Sequence, residues 1–200
     1  MKEIFIASRN SGKIREIREF FDQLDPGIKL RSLLDVPEIP DIEETGKTFE
    51  ENALLKAKSV FEIVKVPVIA DDSGLEVDFL GGRPGVLSAR YSGEMASDQE
   101  NCEKLLNELK GVKSSDRKAR FKCVIIFYGE SNTGTYEGTC EGVIGNSLSG
   151  TSGFGYDPLF IPNGYTETFA ELPIEVKNKI SHRGKALQKF EAALMNWLKN

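Results

Sequence analysis

Apolar residues along the chain recur with two periods, and the switch from one to the other predicts the elements. Ile4-Phe5-Ile6-Ala7-Ser8 is a short apolar run that reads as a strand; the polar turn Arg9 to Lys13 leads into a helical pattern with Ile14, Ile17, Phe21 and Leu24 on one stripe. Asp25-Pro26-Gly27 predicts the end of that helix, and alternating polarity over Ile28 to Leu33 predicts a second strand. The prolines of the acidic connector Pro37 to Gly46 keep it extended. Thr48 and Glu51 then make a capping box for a helix to about Lys65, with Phe49, Ala53, Ala57, Val60 and Val64 as its buried stripe. Val66-Pro67-Val68-Ile69-Ala70 predicts a buried strand that delivers Asp71 and Asp72 to its carboxyl end, followed by a tight Ser73-Gly74 turn.

In the second half, Ser97 and Glu100 form another capping box, for a helix with Cys102, Leu105, Leu106 and Leu109 inward and Gly111 as its stop. Arg120 to Tyr128 and Thr135 to Ile144 are strand runs joined across Gly129 to Gly134, a long hairpin that reads as a second β-lobe or a dimer-forming ribbon. Gly145 to Gly155 is polar and flexible. Ala170 to Glu175 precedes a short helix carrying Lys177 and Lys179; Ser181 caps a terminal helix whose stripe is Leu187, Phe190, Leu194 and Trp197. The class is α/β, without internal repeats, low-complexity tracts or a clear linker. At 200 residues and 40% hydrophobic, the chain can bury one sizeable core, or two lobes around a cleft, as one folding unit.

Charge narrows the partners. The formal net charge is −5, from 26 basic and 31 acidic residues, and no long basic run follows a nucleic-acid backbone, which argues against a nucleic-acid binder. Ile4-Phe5-Ile6-Ala7 is too short for a signal-peptide core and no apolar stretch approaches the ~20 residues that span a bilayer, so the expectation is a soluble, cytoplasmic protein without a membrane partner. Cys102, Cys123 and Cys140 form no CxxC pair and leave one over, which points to reduced, packed thiols. With His182 the single histidine, any metal must be held by carboxylates, and oxygen ligands favour Mg²⁺ or Mn²⁺.

The candidate chemistry sits at strand and helix ends. Side chains alternate along a strand, so Asp71 and Asp72 cannot face the same way: one looks into a cleft while the other braces the turn or pairs elsewhere. At the first strand-to-helix junction Ser8, Asn10, Gly12 and Lys13 can receive a phosphate at the positive end of the helix dipole, although the spacing is not that of a Walker loop and a plain Asn- or Ser-capped helix start explains the same residues. Glu43 or Glu44 can reach a cation held by Asp72 if the following helix packs beside the central strand. Asn52 and Lys56, four apart, share a face that either looks into a cleft or is wet. Glycines on both sides of Phe154 suit a stacking platform for a base, or a core Phe in a glycine-rich turn. His182 and Arg183 on a helix's first turn oppose its dipole, which makes them candidates for an anion or a carbonyl, or a tolerated surface pair.

Taken in order, Ser8-x-Asn10-x-x-Lys13-x-x-Glu16, Glu43-Glu44-Thr45-Gly46, Phe49-x-Glu51-Asn52-Ala53-x-x-Lys56-Ala57, Ala70-Asp71-Asp72-Ser73-Gly74-Leu75, Arg83-Pro84-Gly85 with Ser88-Ala89-Arg90-Tyr91, Gly153-Phe154-Gly155-Tyr156-Asp157-Pro158 and Ser181-His182-Arg183-Gly184 closely resemble the inosine triphosphate pyrophosphatase family, the non-canonical purine nucleoside triphosphate pyrophosphatases. Ser8 stands where many members have Thr. The resemblance implies an elongated two-lobed mixed-sheet α/β fold with a central cleft, commonly a homodimer. It implies Mg²⁺-dependent hydrolysis of ITP, dITP and XTP to the monophosphate and pyrophosphate, which clears deaminated purines from the nucleotide pool. Carried over by position, Ser8, Arg9, Asn10, Ser11, Gly12 and Lys13 line the triphosphate site with Asn52 and Lys56 nearby; Glu44 and Asp72 hold Mg²⁺, with Mn²⁺ a possible substitute; Asp72 is the proton acceptor. Ser73, Phe154, Gly155, Tyr156, Asp157, Lys177, His182 and Arg183 match substrate-contacting positions. Donors from His182, Arg183 or Lys177 would favour a C6 carbonyl over the amino group of adenine. Two other readings differ in kind: a nucleotide-sensing module without turnover, and a related house-cleaning pyrophosphatase acting on modified pyrimidine nucleotides.

Overall fold

The computed structural model describes residues 2–24, 27–130 and 132–199; the helix stop expected at Asp25-Pro26 and position 131 of the expected hairpin turn lie outside them. The first strand, β1 (Glu3–Ile6), leads into helix α1 (Ser11–Leu24) and then β2 (Lys29–Ser32), which lies parallel to β1 with Glu3 opposite Lys29. Helix α2 (Phe49–Val64) opens on the expected capping box of Thr48 and Glu51, and Lys65 closes it in the left-handed region. Next comes β3 (Val68–Val77), parallel to β1 with Phe5 opposite Val68. Helix α3 (Asp98–Glu108) starts on the second capping box, Ser97 with Glu100. The long strands β4 (Lys118–Tyr128) and β5 (Thr133–Ile144) follow, then the short β6 (Phe160–Pro162), antiparallel to β5. Helices α4 (Ile174–Ile180) and α5 (His182–Lys199) end the chain. The sheet is mixed, in the order β2-β1-β3-β4-β5-β6.

The chain forms two compact units, and three strands pass from one to the other. Unit 1 comprises Met1–Asp72, Cys123–Gly138 and Arg183–Asn200; unit 2 comprises Ser73–Lys122 and Thr139–His182. Each has its own apolar core. In unit 1, Ile14, Ile17 and Phe21 of α1 pack with Ile4, Ile6 and Ile69 of the sheet and with Leu187, Phe190 and Leu194 of α5. In unit 2, Leu75, Leu105, Leu109, Phe121, Tyr156, Phe160 and Phe169 form the centre.

Two expectations are corrected. Ser73-Gly74 is not a turn, because β3 runs on to Val77: Leu75 and Val77 are fully buried, and the Leu75 amide donates to Ser88 Oγ at 2.9 Å. Burial on the far side outweighs the turn preference of a Ser-Gly pair. Neither is the hairpin a lobe by itself, since Cys123 to Gly138 belongs to unit 1 while both strand bases belong to unit 2.

Candidate active site

In unit 1 the chemistry gathers where β3 reaches Asp71 and Asp72. Both carboxylates are buried, and their surroundings differ. Asp71 is a hub of cations. Its Oδ2 accepts from Arg183 Nε at 3.0 Å and Nη2 at 2.8 Å and from the Cys123 thiol at 3.6 Å, while the Lys13 ammonium lies 3.1 Å from Oδ1. Burial would push this carboxyl up, but Arg183, Lys13 and Lys56 outweigh it and hold Asp71 far below the usual carboxylate range. Arg183 also donates through Nη1 to Glu16 of α1, and at 1% exposure its guanidinium is enclosed by two anions. That enclosure ties α5, α1 and β3 together by charge at the place where Lys13 starts up α1.

Asp72 takes the other face. Asn52 of α2, fully buried, donates from Nδ2 to Asp72 Oδ2 at 3.2 Å and accepts the Gly46 amide on Oδ1 at 2.7 Å, so one neutral amide sets the distance from the acidic connector to β3. The approach is close: a Cβ on Gly46 would lie 2.6 Å from that same Oδ1. One turn along α2, the Lys56 ammonium donates to Glu44 Oε1 at 2.6 Å and to Asp72 Oδ1 at 3.4 Å. Desolvation opposes the charge on Lys56, yet Asp72, Glu44 and Asp71 outweigh it and keep the ammonium above the usual lysine range. For Asp72 burial dominates, with Lys56 and Lys13 opposing, and the carboxyl is held above its ordinary value. A raised carboxylate is a better proton acceptor than one at about 4.

The residues fit a hard divalent cation. The Lys56 ammonium lies against the carboxylates of both Glu44 and Asp72, so the pair turns its oxygens toward a positive charge. Among the described residues no group of three or more His, Cys, Asp or Glu side chains is arranged to hold a metal ion; Glu44 and Asp72 form a pair. Such a pair suits Mg²⁺, which takes its other ligands from water and substrate phosphates.

Unit 2 holds a different kind of site. Gly153 and Gly155, at φ +82° and +59°, turn the chain around Phe154, and Asp157 closes the turn by accepting the Phe154 amide on Oδ2 at 2.9 Å. That same oxygen takes the Lys177 ammonium at 2.6 Å. The ammonium also lies 5.1 Å from the centre of the Phe154 ring, a cation–π contact. Asp98 of α3 holds the loop by accepting the Gly155 amide at 2.6 Å. His182 is buried and stacks on Phe121, centroids 4.7 Å apart and planes 11° from parallel.

The Ham1 family profile matches residues 4–193. The chain belongs to the Ham1 family. It is 52% identical to a dITP/XTP pyrophosphatase of Bacillus licheniformis over 97% of this chain and 98% of that protein, and 53% identical to one of Oceanobacillus iheyensis over 96% and 97%. The solved structure of the Staphylococcus aureus Ham1 protein superposes with a TM-score of 0.85 at 44% identity, covering 98% of this chain and 99% of that one.

In this Ham1 chain the structure brings together in unit 1 Lys13, Asn52, Lys56, Glu44, Asp72 and Arg183, and in unit 2 Phe154, Asp157 and Lys177. Glu44, not Glu43, faces Lys56; Glu43 is exposed. The face of Asn52 and Lys56, open between cleft and water in the sequence, is turned onto Asp72. At the start of α1, Ser8 Oγ accepts the Asn10 amide at 3.1 Å and Asn10 Oδ1 accepts the Lys13 amide at 3.0 Å; Ser11 is exposed and Gly12 buried. Arg9 is turned away from this group, onto Asp41 at 2.6 Å and the carbonyls of Leu33 and Ile39. Tyr156 is a core residue whose hydroxyl donates to the Ser88 carbonyl at 2.9 Å, and Ser73 is half-buried. Arg183, expected as a donor to the base, is committed to Asp71 and Glu16. Of the two adjacent carboxylates, expected to face different ways, Asp71 is the one that pairs with Arg183 and Lys13, while Glu16 carries no assigned role in the sequence reading. A signal was available for Glu16: it lies four residues beyond the buried Gly12 on an amphipathic helix, where a carboxylate needs a cation.

Proposed function

We propose that this protein hydrolyses non-canonical purine nucleoside triphosphates, dITP, ITP and XTP, to the monophosphate and pyrophosphate. The supporting observation is the pairing of Lys13 with Asp71 and of Lys56 with Glu44 and Asp72 at one strand end, cations held ready by anions. A triphosphate carries roughly four negative charges, and those two ammonium groups with the first amides of α1 can bind it. Glu44 and Asp72 would hold Mg²⁺, or Mn²⁺ in its place, which supplies Lewis-acid stabilisation of the charge that develops on departing pyrophosphate. Asp72 orients a water toward the α-phosphorus and accepts its proton. Asp71 and Arg183 keep Lys13 at its station. Unit 2, taken by itself, offers an aromatic ring, Phe154, beside the Lys177 ammonium, a chemistry that suits a flat base bearing a carbonyl better than one bearing an amino group.

The dITP/XTP pyrophosphatases to which the chain is similar over nearly their whole length favour this substrate class. The test is pyrophosphate release from dITP, XTP, ATP, GTP, dUTP and methylated pyrimidine triphosphates, each with and without Mg²⁺. The expected outcome is Mg²⁺-dependent release that is fastest for dITP and XTP; faster turnover of a pyrimidine would overturn the reading.

A further inference from the structure

The ammonium of Lys56 occupies the position between the carboxylates assigned above to the metal. It lies 2.6 Å from Glu44 and 3.4 Å from Asp72, on a side chain only 11% exposed. Asn52 ties Gly46, two residues beyond Glu44, to Asp72 from a neighbouring position, so the connector keeps a neutral link to β3 besides the one through Lys56. What Lys56 contributes is charge, on a flexible four-carbon stem that can swing. A divalent ion brought between Glu44 and Asp72 would meet that ammonium at contact distance in a poorly solvated place, where like charges repel strongly. The two cations therefore exclude one another.

We propose that Lys56 is the resident counter-cation of this site: lysine and divalent ion compete for Glu44 and Asp72, so the free protein takes up metal weakly, and the ion enters with a nucleotide whose phosphates receive the displaced ammonium. This rests on the reading of Glu44 and Asp72 as the metal pair. It goes beyond that reading in giving the metal and the nucleotide an order. A carboxylate pair left bare would draw in stray divalent ions, while a pair neutralised by Lys56 admits an ion only when phosphate offers the lysine another anion.

Mn²⁺ is the probe, followed by the electron paramagnetic resonance of the free ion in the absence of nucleotide. Lys56→Met, close in shape and uncharged, should bind Mn²⁺ about tenfold more tightly than the unaltered protein, whereas Lys56→Arg should stay as weak. Adding a dITP analogue with a non-hydrolysable α,β-bridge should tighten Mn²⁺ binding more in the unaltered protein than in Lys56→Met. Should the methionine variant fold poorly without metal, its thermal midpoint should rise with Mn²⁺ by more than that of the unaltered protein. Equal or weaker Mn²⁺ binding by Lys56→Met, with no extra thermal gain, would overturn the competition. Introducing Glu44→Gln or Asp72→Asn into Lys56→Met separates the two failures: if neither changes Mn²⁺ binding, the assignment of the metal pair is what falls.

Discussion

The two units solve different recognition problems with different physics. In unit 1, Lys13, Lys56 and Arg183 are set against Glu16, Glu44, Asp71 and Asp72, so that almost every charge at the strand end already has an opposite neighbour. In unit 2 one buried ion pair, Lys177 with Asp157, lies among rings and glycines. The charges in unit 1 compensate one another in a poorly solvated place. Unit 2 instead sets flat ring faces beside a few directional donors. The first unit is thus built around charge and the second around rings.

The division can be broken at several points. The largest effect is expected from Asp72→Asn, which should lower turnover of dITP by about 10³-fold, with the far-ultraviolet circular dichroism unchanged. Asp71→Asn strikes the hub instead: it leaves Arg183 and Lys13 without their shared anion and should cost about 3 kcal/mol of stability in urea denaturation. In contrast, Lys13→Ala should leave stability nearly intact and raise KM about tenfold. An equal stability loss for both variants would mean that Lys13, and not Arg183, is the partner Asp71 depends on.

Unit 2 has its own tests. Gly153→Ala would force a side chain into φ +82° with its Cβ 2.0 Å from Asp157 Oδ2, dislodging the carboxylate that holds both the Phe154 amide and Lys177. A loss of about 2 kcal/mol is expected, with a narrower preference for dITP over dATP. For His182→Ala the preference should narrow by about tenfold with little change in KM for triphosphate itself; an unaltered ratio would move base reading to other residues. A further effect concerns pH. Burial pushes the Cys102 thiol up to about 12, against about 8.5 in an unfolded chain. Above pH 8.5 the unfolded state sheds this proton and the folded state keeps it, so folding is favoured fully below that pH and progressively less toward pH 12. Relative to Cys102→Ala, the unaltered protein should therefore lose stability as pH rises through that window, read by denaturation at several pH values.

Much of this was legible in one dimension. Both capping boxes, Thr48 with Glu51 and Ser97 with Glu100, are short-range devices whose partners lie three residues apart, and both form as the spacing predicts. The pairing of Asp72 with Asn52 and Lys56 was half-readable: an i, i+4 pair marks a shared face, but nothing local says what that face meets. Arg183 was harder still. A cationic first turn on α5 reads as a ligand contact, and only packing reveals that two carboxylates from α1 and β3 enclose it, 167 and 112 residues away.

The order of residues alone determined most of the elements, the two capped helix starts at Thr48 and Ser97, the adjacency of Asp71 and Asp72 and the glycine-flanked Phe154, because capping, alternation and backbone freedom act over a few positions; it missed β6 and began α1 after Lys13 where the helix starts at Ser11. The tertiary structure decided which carboxylate faces which cation, carried β3 past Ser73-Gly74, chose Glu44 over Glu43 and put Lys56 between two anions. Those outcomes depend on burial and on Coulomb forces between distant segments, whose strength is set by proximity and solvent exclusion that no local pattern encodes.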